Sequence, residues 1–477
     1  MKIKLLEKPS IYFRGENAIV IFPSIPYWFS ATQEIRAILE AFCGDDKEEI
    51  ILGISNSLGI SRPEAASVFN DVSDMLYVSG ALEINGEKLA MRSYSPHFQI
   101  NEVENVLVIA TTLFCNLSCP MCYAVSSSRK TMTEMSTKDI TSIVDQVCDM
   151  PWENRVSRIA LTGGELFSRS DAMGLIKYVH SKGLFVQVNT NATLLSKRTI
   201  KMLAKLPKVK LSVSLDGCQS KSHEFIRGKG TFDRAIDTIR RLCKHGVDVA
   251  VNMFVHTGNI MEIKETLLLA QSLGVKAFNC LNMMHVGRGN TKRTKQVLSA
   301  VPLDEFYRQV YLAIKDDESL KKMMQNSTFS NQIMGIAAGV KSNTCGIGTN
   351  RAMYVKPDGS IYPCADTALS KFKLGNLLRD NLSNIWRNSC ILTELRALNI
   401  DTMNTKCKAC DVRYICAGSC RGENYQTTHD LRSPHFKCDE IHDSILELMW
   451  ILTEDPDLFK DKIEDLHRSV NNHAASA

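Results

Sequence analysis

Three features are scarce or absent in the sequence, and each narrows the kind of protein it encodes. No apolar run approaches the roughly 18 residues that cross a membrane, and the opening MKIKLLEK is too charged and too short for a signal peptide. Net charge is also small, at +5 over 477 residues, and favours neither nucleic acid nor an anionic membrane as a partner. We therefore expect a cytoplasmic protein that binds neither.

Cysteine, by contrast, is abundant, with 16 residues in the chain. In a reducing compartment, clustered thiols bind metal more often than they form disulfides. Ten of the cysteines fall into two spaced groups, and we expect the scattered remainder to be small buried hydrophobic residues. The scattered cysteines are Cys43, Cys148, Cys218, Cys243, Cys280 and Cys390.

The first group is Cys115, Cys119 and Cys122, at C-x3-C-x2-C spacing. A four-iron cluster usually takes four thiolates, so three would leave one iron free to hold something other than protein. The alternative is structural zinc, which requires four ligands. No His or further Cys lies nearby to complete such a site.

This stretch, with the aromatic Tyr123 after its third cysteine, resembles the cluster loop of radical SAM enzymes. The resemblance implies that Cys115, Cys119 and Cys122 are catalytic and hold a [4Fe-4S] cluster. It also implies that the free iron is chelated by the amino and carboxylate groups of S-adenosylmethionine (SAM), which the reduced cluster cleaves to a 5′-deoxyadenosyl radical.

Strand and helix patterns alternate over residues 105–315, which indicates βα units around a parallel sheet. Six such units are typical of the partial (βα)6 radical SAM barrel, an α/β fold with function expected at the carboxyl ends of its strands. The predicted strands are Val106–Thr112, Arg158–Thr162, Leu184–Asn189, Lys210–Leu215, Asp248–Val255 and Lys276–Met284.

Two motifs after these strands resemble the family's SAM-binding motifs. Gly163, Gly164 and Glu165 resemble TGGEP, with Leu166 replacing its proline. Paired glycines allow the backbone to approach a ligand closely, and the resemblance implies contact with the methionine amino group.

Ser214 lies in an SLDG pattern, and Arg227 lies in an H-x3-RG pattern. The resemblance implies that Ser214 reaches the ribose and Arg227 the methionine carboxylate, which a guanidinium can bind through both oxygens. The alternative is a polar strand end and a helix-surface charge.

Residues 1–95 predict a separate domain of winged-helix type. A hairpin joins strands around residues 11–13 and 18–22, and three helices follow. Ser30 with Gln33 predicts a capping box for the first helix, and Ser61 with Glu64 predicts one for the third. Nine basic against thirteen acidic residues disfavour DNA binding. The arrangement resembles the recognition element that captures the leader of a precursor peptide as an added strand. A purely structural appendage is the third possibility.

After a helical linker at 316–343, residues 344–445 carry the second cysteine group, and 446–477 form a C-terminal helix and tail. This group consists of Cys345, Cys364, Cys407, Cys410, Cys416, Cys420 and Cys438. It resembles the SPASM domain, which holds two auxiliary iron–sulfur clusters, with zinc as the alternative. From the order of the cysteines, the resemblance implies that one set holds a complete cluster and that the other set is one ligand short. The complete set is Cys407, Cys410, Cys416 and Cys438, and the incomplete set is Cys345, Cys364 and Cys420. An open iron there could bind a substrate thiolate.

These motifs predict a radical SAM peptide maturase that uses SAM and three [4Fe-4S] clusters. The leading hypothesis is thioether formation between a Cys sulfur and a backbone carbon, as in sactipeptide synthases. Carbon–carbon crosslinking, epimerisation, formylglycine formation and an iron–sulfur DNA-binding sensor are the alternatives. Expected partners are a ribosomally made precursor peptide, bound through its leader, and an electron donor such as flavodoxin or ferredoxin.

Overall fold

The computed structural model describes residues 1–89, 105–129, 133–150, 156–349 and 352–464. Its N-terminal part contains short strands and three helices. In chain order these are β1 (Ile3–Leu5), β2 (Ser10–Arg14), β3 (Asn17–Phe22), β4 (Tyr27–Thr32), α1 (Ile35–Ala41), α2 (Lys47–Leu58), α3 (Arg62–Val78), β5 (Leu82–Ile84) and β6 (Glu87–Lys88). The last residues of the predicted first domain, 90–95, lie outside the described residues.

The middle of the chain alternates strands with helices. Its elements are β7 (Asn105–Thr112), α4 (Thr137–Cys148), β8 (Val156–Gly163), α5 (Ala172–Ser181), β9 (Phe185–Thr190), α6 (Lys197–Leu203), β10 (Val209–Ser214), α7 (Ser220–Arg227), α8 (Phe232–Lys244), β11 (Asp248–Phe254), α9 (Ile263–Ser272), β12 (Ala277–Leu281), α10 (Lys292–Val297) and α11 (Leu303–Ile314). All six predicted core strands are present, with ends that differ by a few residues.

The remaining described residues are mostly helical. They form α12 (Glu318–Met324), α13 (Thr328–Ala337), α14 (Gly346–Thr349), β13 (Ala352–Val355), β14 (Ser360–Tyr362), β15 (Gly375–Asn376), α15 (Leu382–Asn388), α16 (Cys390–Arg396), α17 (Ile400–Met403), α18 (Thr405–Ala409), α19 (Arg413–Cys416), α20 (Arg421–Thr428) and α21 (Cys438–Glu454). Helix α21 runs across the predicted boundary at residue 445, and the tail beyond residue 464 lies outside the described ranges.

One nine-stranded sheet joins the middle of the chain to its C-terminal part. The strand order is β12-β11-β10-β9-β8-β7-β13-β14-β15. Strands β7 to β12 pair in parallel, and β13 adds in parallel to the outer edge of β7. Strands β14 and β15 complete the edge in antiparallel pairing. The C-terminal cysteine region is therefore fixed to the core through a shared sheet.

A row of apolar side chains runs across five neighbouring core strands. Residues paired in register are Ile109, Leu161, Val188, Leu211 and Val249, and each is at most 1% exposed. Burial of such a side chain stabilises the fold by about 1.5–3 kcal/mol. This row holds the strands in register, so their carboxyl ends meet at one edge of the sheet.

The N-terminal domain uses the two faces of β3 for two different cores. Val20 and Phe22 pack with α1 to α3, whereas Ile19 and Ile21 belong to the main core. Such alternation follows from the two-residue period of a strand. The predicted hairpin is confirmed as β2 and β3, and the Ser61–Glu64 capping box is confirmed at α3.

The predicted capping box at Ser30 is wrong. Ser30 pairs with Ile19 in a third strand, β4, and α1 begins only at Ile35, where Glu34 makes no side-chain cap hydrogen bond. Tyr27, Trp28 and Phe29 favour a strand, and pairing along β3 outweighs the local capping signal.

Polar contacts also join the N-terminal domain to the C-terminal part. The Tyr12 hydroxyl donates to Asp411 Oδ2 at 2.6 Å, and His442 Nε2 lies 2.9 Å from Asp411 Oδ1. Arg14 Nη2 lies 2.6 Å from Glu447 Oε2. Asp411 directly follows Cys410, so strand β2 is tied to one of the cysteine loops.

Two expectations from composition have different outcomes. Among the described residues, no helix is long and apolar enough to cross a membrane. Of the scattered cysteines, Cys280 is buried, but Cys43, Cys148 and Cys390 are exposed, so the prediction that all six are buried is wrong. Two of the exposed residues lie close to helix ends and the third begins α16, positions where a small thiol has no core to enter.

Candidate functional site

The loop that carries the first cysteine group is closed by main-chain hydrogen bonds. Cys115 N donates to Ser127 O at 2.9 Å, and Ser127 N donates to Leu113 O at 3.0 Å. Cys115 and Cys119 are buried, and Cys122 is partly exposed. The loop thus begins at the carboxyl end of β7 and returns to it.

Residues after β12, which the sequence motifs did not indicate, hold the far side of this loop. The Arg288 side chain donates to Cys119 O at 3.0 Å and to Ser126 O at 2.5 Å. Its main-chain N donates to Cys122 O at 3.1 Å. Gly287 has φ +54°, and a Cβ there would lie 2.3 Å from Tyr123 O. Only glycine fits this close approach.

Sulfur atoms of the loop accept hydrogen bonds from neighbouring groups. Cys115 Sγ accepts from Leu117 N at 3.4 Å and from Asn191 Nδ2 at 3.9 Å. Arg227 Nη1 donates to Cys119 Sγ at 3.7 Å. Burial raises the pKa of the Cys115 thiol to about 11 and also raises that of Cys119. Thiolates in this place therefore need a cation, as metal binding provides.

The paired glycines after β8 pack against the cysteine loop. Gly164 N donates to Thr112 O at 2.7 Å. A Cβ on Gly163 would lie 2.1 Å from Thr112 O, and one on Gly164 would lie 2.1 Å from Phe114 O. The close approach expected of these glycines is thus made to the protein backbone at the root of the loop.

Glu165 is 1% exposed and links two strand ends. One oxygen accepts from Thr190 Oγ1 at 2.8 Å and from Phe167 N at 3.1 Å, and the other accepts from Asn191 N at 2.8 Å. Burial raises the pKa of this carboxyl group. Glu165 therefore positions the end of β9 next to the cysteine loop, and its contact with the methionine amino group stays a prediction.

Arg227 is held by Asp216, a carboxylate to which the sequence motifs assigned no role. Its Nε lies 2.5 Å from Asp216 Oδ2, and Asp216 is fully buried. Asp216 Oδ1 also accepts from Phe254 N at 2.9 Å. The ion pair aims Nη1 at Cys119, so the guanidinium is near the predicted cluster. Ser214 lies half-buried at the end of β10; its contact with ribose and that of Arg227 with the methionine carboxylate stay predictions.

The seven cysteines of the C-terminal group fall into two neighbourhoods. Burial is the main cause that raises the pKa of Cys410 to about 11 and of Cys416 to about 12, and neighbouring thiols of the same set raise both further. Cys438 is raised in the same way, with Cys407 among its neighbours. The four thiols therefore lie close enough to interact.

Cys420 belongs to the second neighbourhood. Burial raises its pKa, and repulsion from Cys364 and Cys345 adds to the rise. The Cys420 thiol also lies 3.6 Å from Asp366 Oδ2, and burial raises the pKa of Asp366. The resemblance did not indicate this carboxylate, because its place depends on a 3-10 turn, Ala365–Thr367, that packs against α20.

A buried polar network links this second neighbourhood to the parallel-sheet core. Glu423 N donates to Cys420 Sγ at 3.4 Å. Glu423 Oε1 accepts from His285 N at 2.7 Å, and Oε2 lies 3.7 Å from His435 Nε2. Burial lowers the pKa of His435 to about 4. His285 follows β12, so the network crosses between the two parts of the chain.

The donor chemistry of all three thiol groups fits iron–sulfur clusters, which are held by thiolates and receive hydrogen bonds at sulfur. In the described part of the chain, no three His, Cys, Asp or Glu side chains are arranged to hold a single metal ion. Assignment of individual cysteines to clusters stays a prediction.

Two family models match the chain: the radical SAM superfamily over residues 109–270 and the SPASM iron–sulfur cluster-binding domain over residues 345–411. AdoMet-dependent heme synthase of Methanosarcina barkeri is 26% identical over 67% of this chain and 91% of its own length. Mycofactocin maturase MftC of Mycolicibacterium smegmatis is 28% identical over 69% of this chain and 81% of its length.

Subtilosin biosynthesis protein AlbA of Bacillus subtilis is 30% identical over 58% of each chain. Among solved structures, Streptococcus suis SuiB bound to precursor peptide SuiA covers 91% of this chain and 98% of its own, with a TM-score of 0.55 at 17% identity. Together with the cysteine loop at the strand ends, the family matches identify the chain as a radical SAM enzyme with a SPASM domain, whose cofactors are SAM and [4Fe-4S] clusters.

Proposed function

We propose that this enzyme modifies a ribosomally made precursor peptide and joins a Cys sulfur of that peptide to a backbone carbon. The observation that carries the proposal is the incomplete thiol set, in which Cys364 and Cys345 both lie close enough to Cys420 to raise its pKa. Three thiolates leave one corner of a four-iron cluster for another ligand, and a peptide thiolate is a soft ligand suited to it.

The N-terminal domain supports a peptide as the substrate. Strands β2 and β4 are the two edges of its three-stranded sheet, and an edge strand offers unpaired N–H and C=O groups to an added peptide strand. Tyr27 and Phe29 on β4 are only partly buried against the helical core. They would provide apolar contacts for side chains of a leader.

Names of relatives support the same substrate class. Mycofactocin maturase and the subtilosin biosynthesis protein are similar over 69% and 58% of this chain, and the SuiB structure contains a precursor peptide. The heme synthase match covers a smaller share of this chain than SuiB does. A peptide substrate gives the N-terminal domain a role in binding. A function like that of heme synthase would give this domain no role.

Residues of this chain would prepare the site in separate ways. Cys115, Cys119 and Cys122 hold the cluster that binds SAM. Arg227, oriented by Asp216, receives the methionine carboxylate, and Ser214 lies at the strand end nearest the ribose. SAM bound there would supply, once an external donor such as flavodoxin or ferredoxin has reduced the cluster, the radical that takes one hydrogen atom from the peptide backbone.

The bond then forms between the backbone carbon and sulfur, and its electrons balance as follows. The thiol gives up its proton, and the carbon radical with the thiolate makes one C–S bond and releases one electron. The cluster held by Cys345, Cys364 and Cys420 is the proposed acceptor of that electron. Its position across the Glu423 network from the SAM-binding core suits this role.

The test is incubation of the reconstituted enzyme with SAM, a reductant and a Cys-containing precursor peptide encoded beside its gene. We expect a product that has lost two hydrogen atoms and resists thiol alkylation, with tandem mass spectrometry placing the link on a backbone carbon. A peptide with Ser in place of Cys should stay unlinked. A product with a free thiol and a carbon–carbon bond, an inverted stereocentre or a formylglycine would instead show one of the other peptide modifications.

A further inference from the structure

Arg421 is a fully buried arginine that follows Cys420 and begins α20. Its guanidinium donates hydrogen bonds to three main-chain oxygens, those of Gly418, Leu431 at 3.1 Å and Ser433 at 2.8 Å. These bonds hold the side chain inside the loops that carry the second cysteine group. Its Nε has no hydrogen-bond partner among the residues that the structure describes.

No carboxylate compensates this charge within the described ranges. Burial lowers the pKa of Arg421, and negative charge on thiols of both sets would raise it. These thiols are Cys345 and Cys420 from the incomplete set and Cys407 and Cys416 from the complete set. Burial of an ion is costly unless it is paired. With neutral thiols the guanidinium would lie unpaired between two groups of sulfur atoms.

Arg413 provides a contrast in the same region. It also lies near a predicted ligand and donates to Cys410 O at 3.1 Å, but its side chain faces Asp401 at 3.7 Å. The usual solution, a carboxylate neighbour, is thus present at Arg413. At Arg421, by contrast, the described residues provide no carboxylate within ion-pair distance, and the negative charges that would favour the guanidinium are those of thiolates.

Thiolate-ligated clusters supply this charge, and their reduction potentials depend on net charge and on hydrogen bonds to sulfur. Reduction adds one negative charge to a cluster. A fixed positive charge nearby stabilises the reduced form more than the oxidised form, and the effect is strong in a buried, weakly screened place.

We propose that Arg421 is the shared counter-charge of the two auxiliary clusters and raises the reduction potential of both. Arg421 directly follows Cys420 of the incomplete set, and it donates to Gly418 O in the loop that joins Cys416 of the complete set to Cys420, so one side chain couples the electrostatics of the two sites. Reduction of one cluster would neutralise part of the field that favours reduction of the other. The inference depends on the two thiol sets as cluster ligands and is independent of the peptide and the bond formed.

The experiment uses the full chain with Cys115, Cys119 and Cys122 changed to Ala, so that only auxiliary clusters contribute. Arg421→Met and Arg421→Lys are made in this background and reconstituted with iron and sulfide. Midpoint potentials follow from redox titration monitored by electron paramagnetic resonance. Arg432→Met, which removes an equal charge from an exposed position nearby, is the matched control.

Arg421→Met should shift both auxiliary midpoints to lower potential, whereas Arg421→Lys and Arg432→Met should stay close to the parent. Unchanged midpoints in a fully loaded Arg421→Met protein would overturn the proposal. If Arg421→Met fails to hold the auxiliary clusters and Arg421→Lys holds them with potentials near those of the parent, the positive charge is required and the proposal stands. Failure of both variants to load would overturn it, because hydrogen bonding of the loops would then be the role of Arg421.

Discussion

Arg227 and Asp216 form an ion pair at the centre of the predicted SAM site, with Asp216 fully buried. Breaking a buried pair leaves one charge uncompensated, at a cost of about 3–5 kcal/mol. Asp216→Asn should therefore lower the free energy of unfolding by about 3 kcal/mol, measured by denaturant unfolding without SAM, and should weaken SAM binding because Arg227 is no longer oriented.

Asp237 provides the matched control for that variant. It pairs with Arg241 on the surface of α8, where both side chains are well exposed. Exposed pairs contribute about 0–1 kcal/mol, so Asp237→Asn should change stability by about 0.5 kcal/mol or less. Equal effects of the two variants would contradict a special role for the buried pair.

The cysteine loop gives a second prediction for single residues. Changing Cys115, Cys119 and Cys122 to Ala should abolish formation of 5′-deoxyadenosine, because these thiols would hold the cluster that binds SAM. Iron content should fall by about one third, the share of one cluster in three. Undiminished 5′-deoxyadenosine, measured by chromatography, would show that another group holds SAM.

Sequence motifs indicated most of these residues but not how they are held. Spacing alone predicts Cys115, Cys119 and Cys122 as one ligand set, because these three residues lie close together in the chain. Asp216 accepts from Phe254 N, and Arg288 donates to Cys119 O, and both partners are far away in sequence. Such pairs become visible only when parallel strands bring their ends together.

At the scale of elements, periodic patterns predicted the core strands well because a buried parallel strand is a short apolar run. Ser30 is an example of a local pattern that predicted the wrong element. A capping box is a local signal, whereas β4 is stabilised by six residue pairs with β3. Likewise, β13 joins the core sheet through β7, a pairing between distant segments that no local pattern encodes.

The N-terminal domain gives the element-scale prediction. The groups predicted to bind SAM all lie beyond residue 105, so deletion of residues 1–95 should strongly reduce peptide modification while SAM cleavage without peptide continues. Deletion also exposes the main-core surface that Ile19 and Ile21 cover, so both activities are measured at low temperature on protein with confirmed iron content.

A matched variant keeps the domain but loosens its attachment. Tyr12→Phe removes the hydrogen bond to Asp411. Burial alone would raise the pKa of Asp411, but hydrogen bonds from His442 and Tyr12 lower it to about 2. The Tyr12→Phe variant should retain leader binding. If the deletion leaves peptide modification unchanged, the domain is a structural appendage, and tight binding of DNA by the isolated domain would favour a sensor.

Across the whole molecule, the predicted cofactor sites are joined by one sheet and by buried polar groups. Glu423 touches both Cys420 and His285, and Arg421 donates to Gly418 O in the loop between Cys416 and Cys420. The chain therefore places the predicted SAM site and the proposed electron acceptor on one continuous framework. Activity should depend on the acceptor even when the radical still forms.

The final prediction separates these two steps. Cys345→Ala or Cys364→Ala removes a ligand from the incomplete set. The peptide thiolate then loses its proposed binding site, and the released electron loses its proposed acceptor. Crosslinking should stop, whereas SAM cleavage should continue uncoupled, which mass spectrometry of the peptide and chromatography of 5′-deoxyadenosine measure in one reaction. Cys390→Ala, at an exposed cysteine outside both sets, should leave both yields unchanged.

The native enzyme allows a direct check of thiolate binding. A Cys-containing peptide should perturb the spectrum of the auxiliary clusters, because a new sulfur ligand changes the electronic environment of iron. The same peptide with Ser in place of Cys should leave it unchanged. Near-normal crosslinking by Cys345→Ala and Cys364→Ala would refute the acceptor mechanism, and Cys345, Cys364 and Cys420 would then serve only to hold the fold around Asp366 and α20.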